Sequence, residues 1–476
     1  METYLSVLSE DEKARVHERT MKILAETGVR VETAKGRQYL KDAGAEVDEN
    51  TKIVCFPQPL VEESLRLAPK KFTLGARRPG WDLPMNIGDC TLMPDGEGIM
   101  IIDRKTGEHR PTTNNDWLEA TRLSDALDEI GVYWAMAEPG EGQDSIPDSI
   151  SHWRKMFGNF SKHIQDSSAT AEESQWLLEV MQAVFGDKEI IRQKHPFSFL
   201  VCPQSPLIIE EQHTDAYLEL LGWDIPIAVM PMPLMGGTGP GNMISMTILS
   251  NCEVLSMLCL VQAAAPGTPF IYAPATAVMN PRTGMLSSGA IENGLLSSAA
   301  IEMARFYELP VEGSGGGTDT HVPGIQATLE RAQNAMLPML SWPDLMVGAG
   351  LLGGSMILSL EQLVIDAEMF RMSKQAHRGI LTHDEKWLDE VIQSVGPGGN
   401  FLGEKSTRAN LRSGEWLIPR LGNHETRKAW EDAGEKDILE EAREKVENIL
   451  STYQPMPLPL EVEAELDLIE QKARNI

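Results

Sequence analysis

Along the middle of the chain, short apolar runs alternate with longer stretches in which apolar residues recur at helical spacing. The short runs are typical of buried strands, and the longer stretches have the period of amphipathic helices. The predicted strands lie at 132–137, 163–167, 197–202, 227–232, 270–275, 310–313, 345–348 and 356–360. The predicted helices lie near 117–128, 149–158, 171–185, 209–221, 242–265, 288–307, 325–340 and 361–376.

This alternation predicts an α/β protein with a parallel sheet, because parallel strands need a crossover connection, usually a helix. Eight strand–helix units favour closure into a (β/α)8 barrel of the TIM type, since right-handed crossovers then place every helix outside. An open, doubly wound sheet is the alternative architecture.

The two ends of the chain differ from this repeating middle. Residues 1–114 are predicted to form an N-terminal extension, with a helix capped by Ser9 and Glu12 and two antiparallel strands at 90–93 and 99–102. The predicted barrel domain covers 115–380. Residues 381–476 are predicted to form a charged helical tail that packs on the barrel or joins subunits.

The charge of the chain narrows the possible partners. The 476 residues carry a formal net charge of −28, which argues against binding to nucleic acid and to an anionic membrane surface. The longest apolar run, within 254–265, predicts a buried helix instead of a membrane span. No signal peptide is recognisable, so we expect a cytoplasmic protein. The five scattered cysteines predict neither a disulfide framework nor a directly bound metal.

Three glycine-rich segments follow predicted strands, at 235–241, 313–318 and 348–354. In a barrel these loops lie on the rim that carries the active site, where glycine lets a ligand approach the backbone closely. The string Gly348-x-Gly350-x-x-Gly353 lies outside an opening βαβ unit, so a dinucleotide site is rejected. An anion seat for a phosphate or a substrate carboxylate is the remaining alternative. The glycines predicted to contact a bound group are Gly237, Gly315, Gly316, Gly350 and Gly353.

Polar and aromatic residues also collect at the predicted strand ends. Aromatic faces beside carboxylates are typical of sites for quaternary ammonium groups, whereas ordinary core packing is the alternative for Tyr133 and Trp134. The residues predicted to contact a substrate are Glu138, Gln165, Gln204, Tyr272, Glu312, Asp319 and His321.

Three segments of the chain resemble a known family. Residues 313–327, which contain the run Gly-Ser-Gly-Gly-Gly-Thr-Asp-Thr-His, resemble the trimethylamine methyltransferase superfamily, and so do residues 16–31 and 301–311. Every position is a standard amino acid, so the chain looks like the branch of that family without pyrrolysine. Members of that branch act on glycine betaine, proline betaine, carnitine or γ-butyrobetaine.

The resemblance implies an enzyme that passes a methyl group from a quaternary amine to Co(I) of a corrinoid, a cobalamin-type group carried by a separate protein. Glycine betaine is the expected substrate, and the glycine-rich rim is expected to receive the corrinoid. Because the departing amine is neutral, no catalytic acid or base is expected. Analogy with other barrel enzymes also leads us to expect a homo-oligomer.

Two other functions remain open at this stage. A barrel lyase or isomerase would use Glu138 and Glu312 as acid and base and would need no partner. A non-catalytic protein would bind the quaternary amine and leave its methyl groups in place.

Overall fold

The computed structural model describes residues 3–86, 88–137 and 145–475. The helices are α1 (Glu10–Glu26), α2 (Ala34–Asp42), α3 (Gln58–Leu67), α4 (Asn114–Ala126), α5 (Ile146–Asn159), α6 (Ala171–Phe185), α7 (Lys188–Lys194), α8 (Gln212–Leu218), α9 (Met243–Ala264), α10 (Ile291–Phe306), α11 (Ile325–Ser341), α12 (Leu360–Arg378), α13 (Asp389–Val395), α14 (Lys405–Arg412), α15 (Arg427–Asp432), α16 (Ile438–Thr452) and α17 (Leu460–Arg474).

The strands are short and are distributed along most of the chain. They are β1 (Val29–Val31), β2 (Glu46–Asp48), β3 (Ile53–Cys55), β4 (Thr73–Leu74), β5 (Leu83–Pro84), β6 (Thr91–Pro94), β7 (Met100–Ile102), β8 (His109–Pro111), β9 (Val132–Tyr133), β10 (His163–Asp166), β11 (Phe197–Val201), β12 (Ile208–Ile209), β13 (Ile227–Val229), β14 (Leu234–Met235), β15 (Phe270–Tyr272), β16 (Ala277–Met279), β17 (Leu286–Ser287), β18 (Glu312–Ser314), β19 (Leu345–Ala349), β20 (Leu351–Leu352) and β21 (Ile357–Leu358).

Two parallel sheets form the centre of the molecule. One contains five strands in the order β15-β13-β11-β10-β9, and the other contains three in the order β18-β19-β6. Isolated parallel bridges join the edges of the two sheets, one between Leu92 and Ile130 and one between Tyr272 and Val311. A mixed α/β architecture with parallel sheets, as the alternation predicted, is therefore confirmed.

Two of the predicted strand assignments are wrong. The run at 90–93 was predicted as an antiparallel strand of the extension, but β6 pairs in parallel with β19. The run at 356–360 was predicted as the eighth strand of the parallel sheet, but β21 lies in a separate sheet, where it pairs in parallel with β7 and antiparallel with β20. The hairpin β7–β8 lies between β6 and α4, so the first strand is separated from its helix and the sequence pattern conceals the unit.

Alternating side chains of the parallel strands face two different layers. In β15, Phe270 and Tyr272 belong to the large core that also contains residues of the surrounding helices. Ile271 and the following Ala273 belong to a second core together with Leu200, Ala228 and Val347 from other parallel strands. Successive side chains of a strand point to opposite faces, so this second core is the inner face of the sheets and the first is their helix side.

The terminal segments follow the sequence prediction more closely. The α1 helix has the predicted capping box, in which the Ser9 hydroxyl accepts from the Glu12 amide and the Glu12 carboxylate accepts from the Ser9 amide. At the other end, α16 and α17 lie on either side of the Pro-rich break and pack on helices of the central region.

The α9 helix is long and apolar enough to cross a membrane when only its length and composition are considered. In the structure 78% of its apolar window is buried, and the helix packs against α1, α2, α3 and α10. The predicted buried helix within 254–265 is therefore confirmed.

Candidate active site

A cleft of about 540 Å³ opens at the carboxyl ends of the parallel strands. Six strands or the segments that directly follow them line the cleft, through Asp95, Trp134, Met230, Thr276, Ser314 and Gly348. Carboxyl ends of parallel strands are where α/β folds commonly bind their ligands. The described part of the lining includes no lysine or arginine, and Asp95 is the one ionisable side chain among these described lining residues.

An aromatic ring and a carboxyl group, those of Trp134 and Asp95, line the same cleft. The Trp134 ring lies so close to the backbone of Gly96 that an added Cβ there would stand 3.2 Å from Trp134 Cδ2. The neighbouring Asp95 accepts a hydrogen bond from Ser355 Oγ, and burial raises the pKa of its carboxyl group. A wall of this composition favours a cation, because the ring face is electronegative and the carboxylate supplies a counter-charge.

A second carboxyl group lies deeper, on the inner face of the sheets. Gln165 Nε2 donates a 3.1 Å hydrogen bond to Glu312 Oε2, which joins β10 to β18. Glu312 is only 1% exposed, and burial raises the pKa of its carboxyl group to about 7. Glu312 Oε1 and Gln165 Oε1 are both buried and have no hydrogen-bond partner among the described residues. The predicted residues Gln165 and Glu312 are thus brought together.

Three other predicted contact residues lie elsewhere or serve another purpose. Gln204 is exposed, and its backbone exchanges both hydrogen bonds with Ile208 in the turn after β11. Asp319 accepts from Ser287 Oγ at 2.6 Å and from the Gly289 amide at 3.0 Å, so it fastens two loops together. His321 is exposed, and its carbonyl oxygen lies 2.8 Å from His109 Nε2. The predicted contact Glu138 lies outside the described residues.

The structure removes Tyr272 from the candidate site. Its ring lies on the helix side of β15 and is fully buried, and its hydroxyl donates a 3.0 Å hydrogen bond to Asn251 Oδ1 on α9. Tyr133 also faces the helices, with its hydroxyl 2.7 Å from Thr121 Oγ1. Trp134, one position further on, faces the cleft. Because side chains of a strand alternate between faces, neighbouring aromatic residues cannot both reach the same ligand.

The glycine-rich segments border the cleft, but their amides are already occupied. The amide of Gly316 donates to Asn334 Oδ1 at 2.7 Å, that of Gly350 to Asp366 Oδ2 at 2.8 Å, and that of Gly353 to Thr320 O at 2.8 Å. An anion seat, which the sequence left open, would require each of these three amides to break an existing hydrogen bond.

Of the predicted glycines, Gly315 lines the cleft itself, and Gly237 lies in the exposed loop after β14. Gly350 has a φ of +90°, and an added Cβ would stand 2.3 Å from Met136 Cε. Close packing against a neighbouring side chain explains this glycine without any ligand.

Sequence reasoning missed Asp95 and Thr276. Asp95 lies between the two runs that were predicted as antiparallel strands, and only the recognition of β6 as a parallel strand would have placed it at a carboxyl end. Thr276 follows β15 by four residues and carried no charge or ring to draw attention.

Metal-binding groups are not clustered in the described chain: within 3–86, 88–137 and 145–475, no three His, Cys, Asp or Glu side chains are placed to hold one ion. The five cysteines are unpaired with one another, and burial raises the pKa of the Cys202 thiol on the inner face to about 12. A thiolate is therefore not expected at neutral pH.

Comparison with known proteins finds methyltransferases that are similar to this chain along nearly its whole length. A trimethylamine methyltransferase MttB of Desulfitobacterium hafniense is 32% identical over 99% of this chain and 94% of its own length. A glycine betaine methyltransferase of Desulfitobacterium hafniense is 30% identical over 99% and 98%. The crystal structure of the Methanosarcina barkeri monomethylamine methyltransferase MtmB superposes with a TM-score of 0.51 at 12% identity, over 98% of this chain and 93% of that one.

That structural likeness shows a shared fold and leaves substrate and partner open. The family assignment rests instead on the full-length sequence similarity. The family model described as trimethylamine methyltransferase (MTTB) matches residues 2–476. The chain is therefore a methyltransferase that belongs to the trimethylamine methyltransferase (MTTB) family.

Proposed function

We propose that this methyltransferase takes a methyl group from a quaternary amine and transfers it to cobalt(I) of a corrinoid carried by a partner protein. The observation that carries the proposal is the presence of the Trp134 ring and the Asp95 carboxyl group in one cleft whose described lining has no lysine or arginine. Such a wall stabilises a permanent cation and gives little to a neutral amine. The glycine betaine relative supports glycine betaine as the first substrate to test.

In this reaction the role of the chain is to bind and orient its substrate. The bond between the methyl carbon and nitrogen breaks, its electron pair stays on nitrogen, and the product is a neutral tertiary amine. The methyl carbon forms its new bond to the cobalt of the acceptor, which supplies the nucleophile. Trp134 and Asp95 would hold the nitrogen while one methyl group points out of the cleft, and this alignment is the chain's main contribution.

The mouth of the cleft suits a large acceptor. Exposed apolar side chains, among them Met232, Leu286 and Met356, lie at or next to the lining segments. Exposed apolar patches commonly mark binding surfaces for other proteins or bulky ligands. The occupied amides of Gly316, Gly350 and Gly353 indicate that the rim would receive the acceptor through shape and apolar contact instead of through free backbone donors.

We propose further that the eight parallel strands close into a (β/α)8 barrel, with β6 as its first strand. The two isolated bridges between the sheet edges support closure, because they join β6 to the segment before β9 and β15 to the segment before β18. A cytoplasmic location, a homo-oligomeric state and a division into 1–114, 115–380 and 381–476 remain predictions, and closure with β6 as the first strand would move the start of the barrel domain to before Thr91.

The direct test mixes the purified protein with chemically reduced cobalamin and follows the loss of the Co(I) absorbance. Glycine betaine should bleach this absorbance, dimethylglycine should appear in equal amount, and trimethylamine should give no reaction. If no quaternary amine bleaches the absorbance with either free cobalamin or a corrinoid protein, the proposal is wrong. Betaine binding without methyl transfer would indicate a non-catalytic binding protein.

The variant Trp134→Leu tests the aromatic wall. We expect its KM for the quaternary amine to rise about 10-fold, because a partly buried cation–π contact contributes about 0.5–2 kcal/mol. Tyr133→Phe is the matched control, since that ring is the next in sequence and faces the helices. Equal KM values in both variants would show that the ring of Trp134 does not contact the cation.

A further inference from the structure

Two residues that line another part of the cleft, Thr276 and Asn293, each carry a polar atom without a partner among the described residues. Thr276 is 5% exposed, and its Oγ1 is buried without a hydrogen bond. Asn293 Oδ1 is likewise buried and without a hydrogen bond. Buried polar atoms are nearly always paired, so two such atoms in one cleft point to a group that completes them.

The hydrogen bonds of Asn293 determine which kind of group this is. Its Nδ2 donates to Ser287 O at 2.8 Å and to Ser288 O at 3.0 Å, so both amide hydrogens are used. The amide cannot turn over without giving up both bonds. The remaining Oδ1 is therefore a fixed acceptor, and it would repel a carboxylate and attract a hydroxyl or another donor. The hydroxyl of Thr276 can donate or accept.

These two residues share the cleft with the proposed cation site but lie on a different part of its wall. Thr276 follows β15, whereas Trp134 follows β9, and these strands are the two edges of the five-stranded sheet. Asn293 lies in the first turn of α10, which packs against β16 immediately after Thr276. A substrate with its nitrogen at Trp134 would extend the remainder of the molecule towards this second wall.

We propose that Thr276 and Asn293 form a hydroxyl-recognition subsite, and that the preferred substrate is a quaternary amine with a hydroxyl group on the chain that bears its nitrogen. The inference rests on the proposed function and narrows its substrate class. Glycine betaine has no hydrogen-bond donor and would leave Asn293 Oδ1 unpaired. A hydroxylated amine would donate its hydroxyl hydrogen to Asn293 Oδ1 and accept from Thr276 Oγ1.

Two compounds that differ only in this hydroxyl provide the test. Carnitine carries it, and γ-butyrobetaine has the same carbon chain, carboxylate and trimethylammonium group without it. We expect kcat/KM for one enantiomer of carnitine to exceed that for γ-butyrobetaine at least about 10-fold, since a site built for a substrate hydroxyl discriminates strongly against the analogue that lacks it. Glycine betaine should resemble γ-butyrobetaine in this respect.

The variant Thr276→Val connects the preference to this wall. It should lower the ratio of the two kcat/KM values at least about 3-fold, because one of the two hydrogen bonds to the hydroxyl is lost. The substitution keeps the shape of the side chain and removes a hydroxyl that has no partner among the described residues, so the melting temperature should not fall. Thr238→Val is the matched control, because that hydroxyl lines the same cleft but accepts from the Leu234 amide at 2.9 Å.

The outcomes separate this inference from the function on which it rests. Equal turnover of carnitine and γ-butyrobetaine would show that the unpaired atoms bind only water, while methyl transfer itself would stand. A preference for carnitine that persists in Thr276→Val and falls in Thr238→Val would also overturn the assignment. Failure of every quaternary amine to react would instead reject the proposed methyl transfer.

Discussion

The two ends of the parallel strands differ in whether their buried polar groups have hydrogen-bond partners. At the amino ends, Lys162 Nζ donates to Leu127 O and Ile130 O at 2.7 and 2.6 Å, and Asp344 accepts from the amides of Asn86 and Val311. Towards the carboxyl ends, buried atoms of Gln165, Glu312, Thr276 and Asn293 have no partner among the described residues.

This difference in hydrogen bonding indicates which end of the strands gives up stability for ligand binding. A buried polar atom without a partner costs about 1–3 kcal/mol, whereas a paired one is close to neutral or mildly stabilising. Several such atoms in and below one cleft therefore lower the stability of the empty protein, and a ligand that pairs with them recovers the loss. Lys162 and Asp344 at the amino ends carry no such cost, although Arg77 Nε nearby is buried without a partner among the described residues, and we interpret these ends as the part that holds the strands together.

The largest expected effect is on the pH dependence of stability, through Glu312. Burial raises the pKa of this carboxyl group from its ordinary value near 4.5 to about 7. The folded protein therefore holds this proton more tightly than the unfolded chain. The stability due to Glu312 is complete below about pH 4.5 and is lost as the pH rises to about 7, by about 3 kcal/mol in all.

The variant Glu312→Gln should not show this loss. Urea unfolding of both proteins between pH 4.5 and 7.5 measures it as a difference in slope. The buried Glu253, whose pKa burial also raises to about 7, is common to both proteins and cancels in the comparison. Parallel curves for the two proteins would mean that Glu312 does not titrate in this range, and the contrast between the two ends would lose its strongest case.

The next effect concerns substrate binding at Asp95. We expect Asp95→Asn to raise KM for the quaternary amine about 100-fold at pH 7, because the variant keeps an oxygen for the Ser355 hydroxyl but loses the counter-charge beside Trp134. Steady-state kinetics with reduced cobalamin measure the change, which corresponds to about 2.7 kcal/mol.

Asp319→Asn is the matched control for this change of charge. Its carboxylate fastens the loops at Ser287 and Gly289 and does not line the cleft, so the variant should lose stability and keep its KM. A KM for Asp95→Asn within threefold of the wild-type value would show that Asp95 does not face the cation.

The sequence predicted the helices and seven of the parallel strands because their signals are local: an apolar period and a capping residue are visible in one stretch of chain. It could not assign β6, because whether Thr91–Pro94 pairs with Leu345 or with a neighbouring hairpin depends on residues about 250 positions away. The sequence also could not show to which face of its strand each side chain points. Placing Tyr272 at a strand end did not reveal that its ring points to Asn251, since a shift of one position reverses every side chain.

The pairing of Gln165 with Glu312 could be predicted in part, because both were placed in parallel strands whose inner faces converge. The sequence could not predict which of their atoms would remain unpaired, since this depends on rotamers and on the residues packed around them. For the same reason the sequence could not decide whether the glycine-rich loops offer an anion seat. The glycines were recognised, but their amides are taken by Asn334, Asp366 and Thr320, which lie in other segments.

The smallest effect is expected at the amino ends and is confined to stability. His163 Nδ1 lies 3.0 Å from Gly75 O, and since a carbonyl oxygen only accepts, Nδ1 carries the hydrogen and Nε2 accepts from Ser198 Oγ at 2.9 Å. Burial lowers the pKa of this imidazole to about 3, so the ring is neutral in the folded protein.

His163→Leu leaves Gly75 O and the Ser198 hydroxyl unpaired and should lower the unfolding free energy by about 2 kcal/mol. Because His163 begins β10 at its amino end and does not line the cleft, KM for the quaternary amine should stay at the wild-type value. A large rise in KM with unchanged stability would mean that the amino ends also contact the substrate, and the division of labour between the two ends would fail.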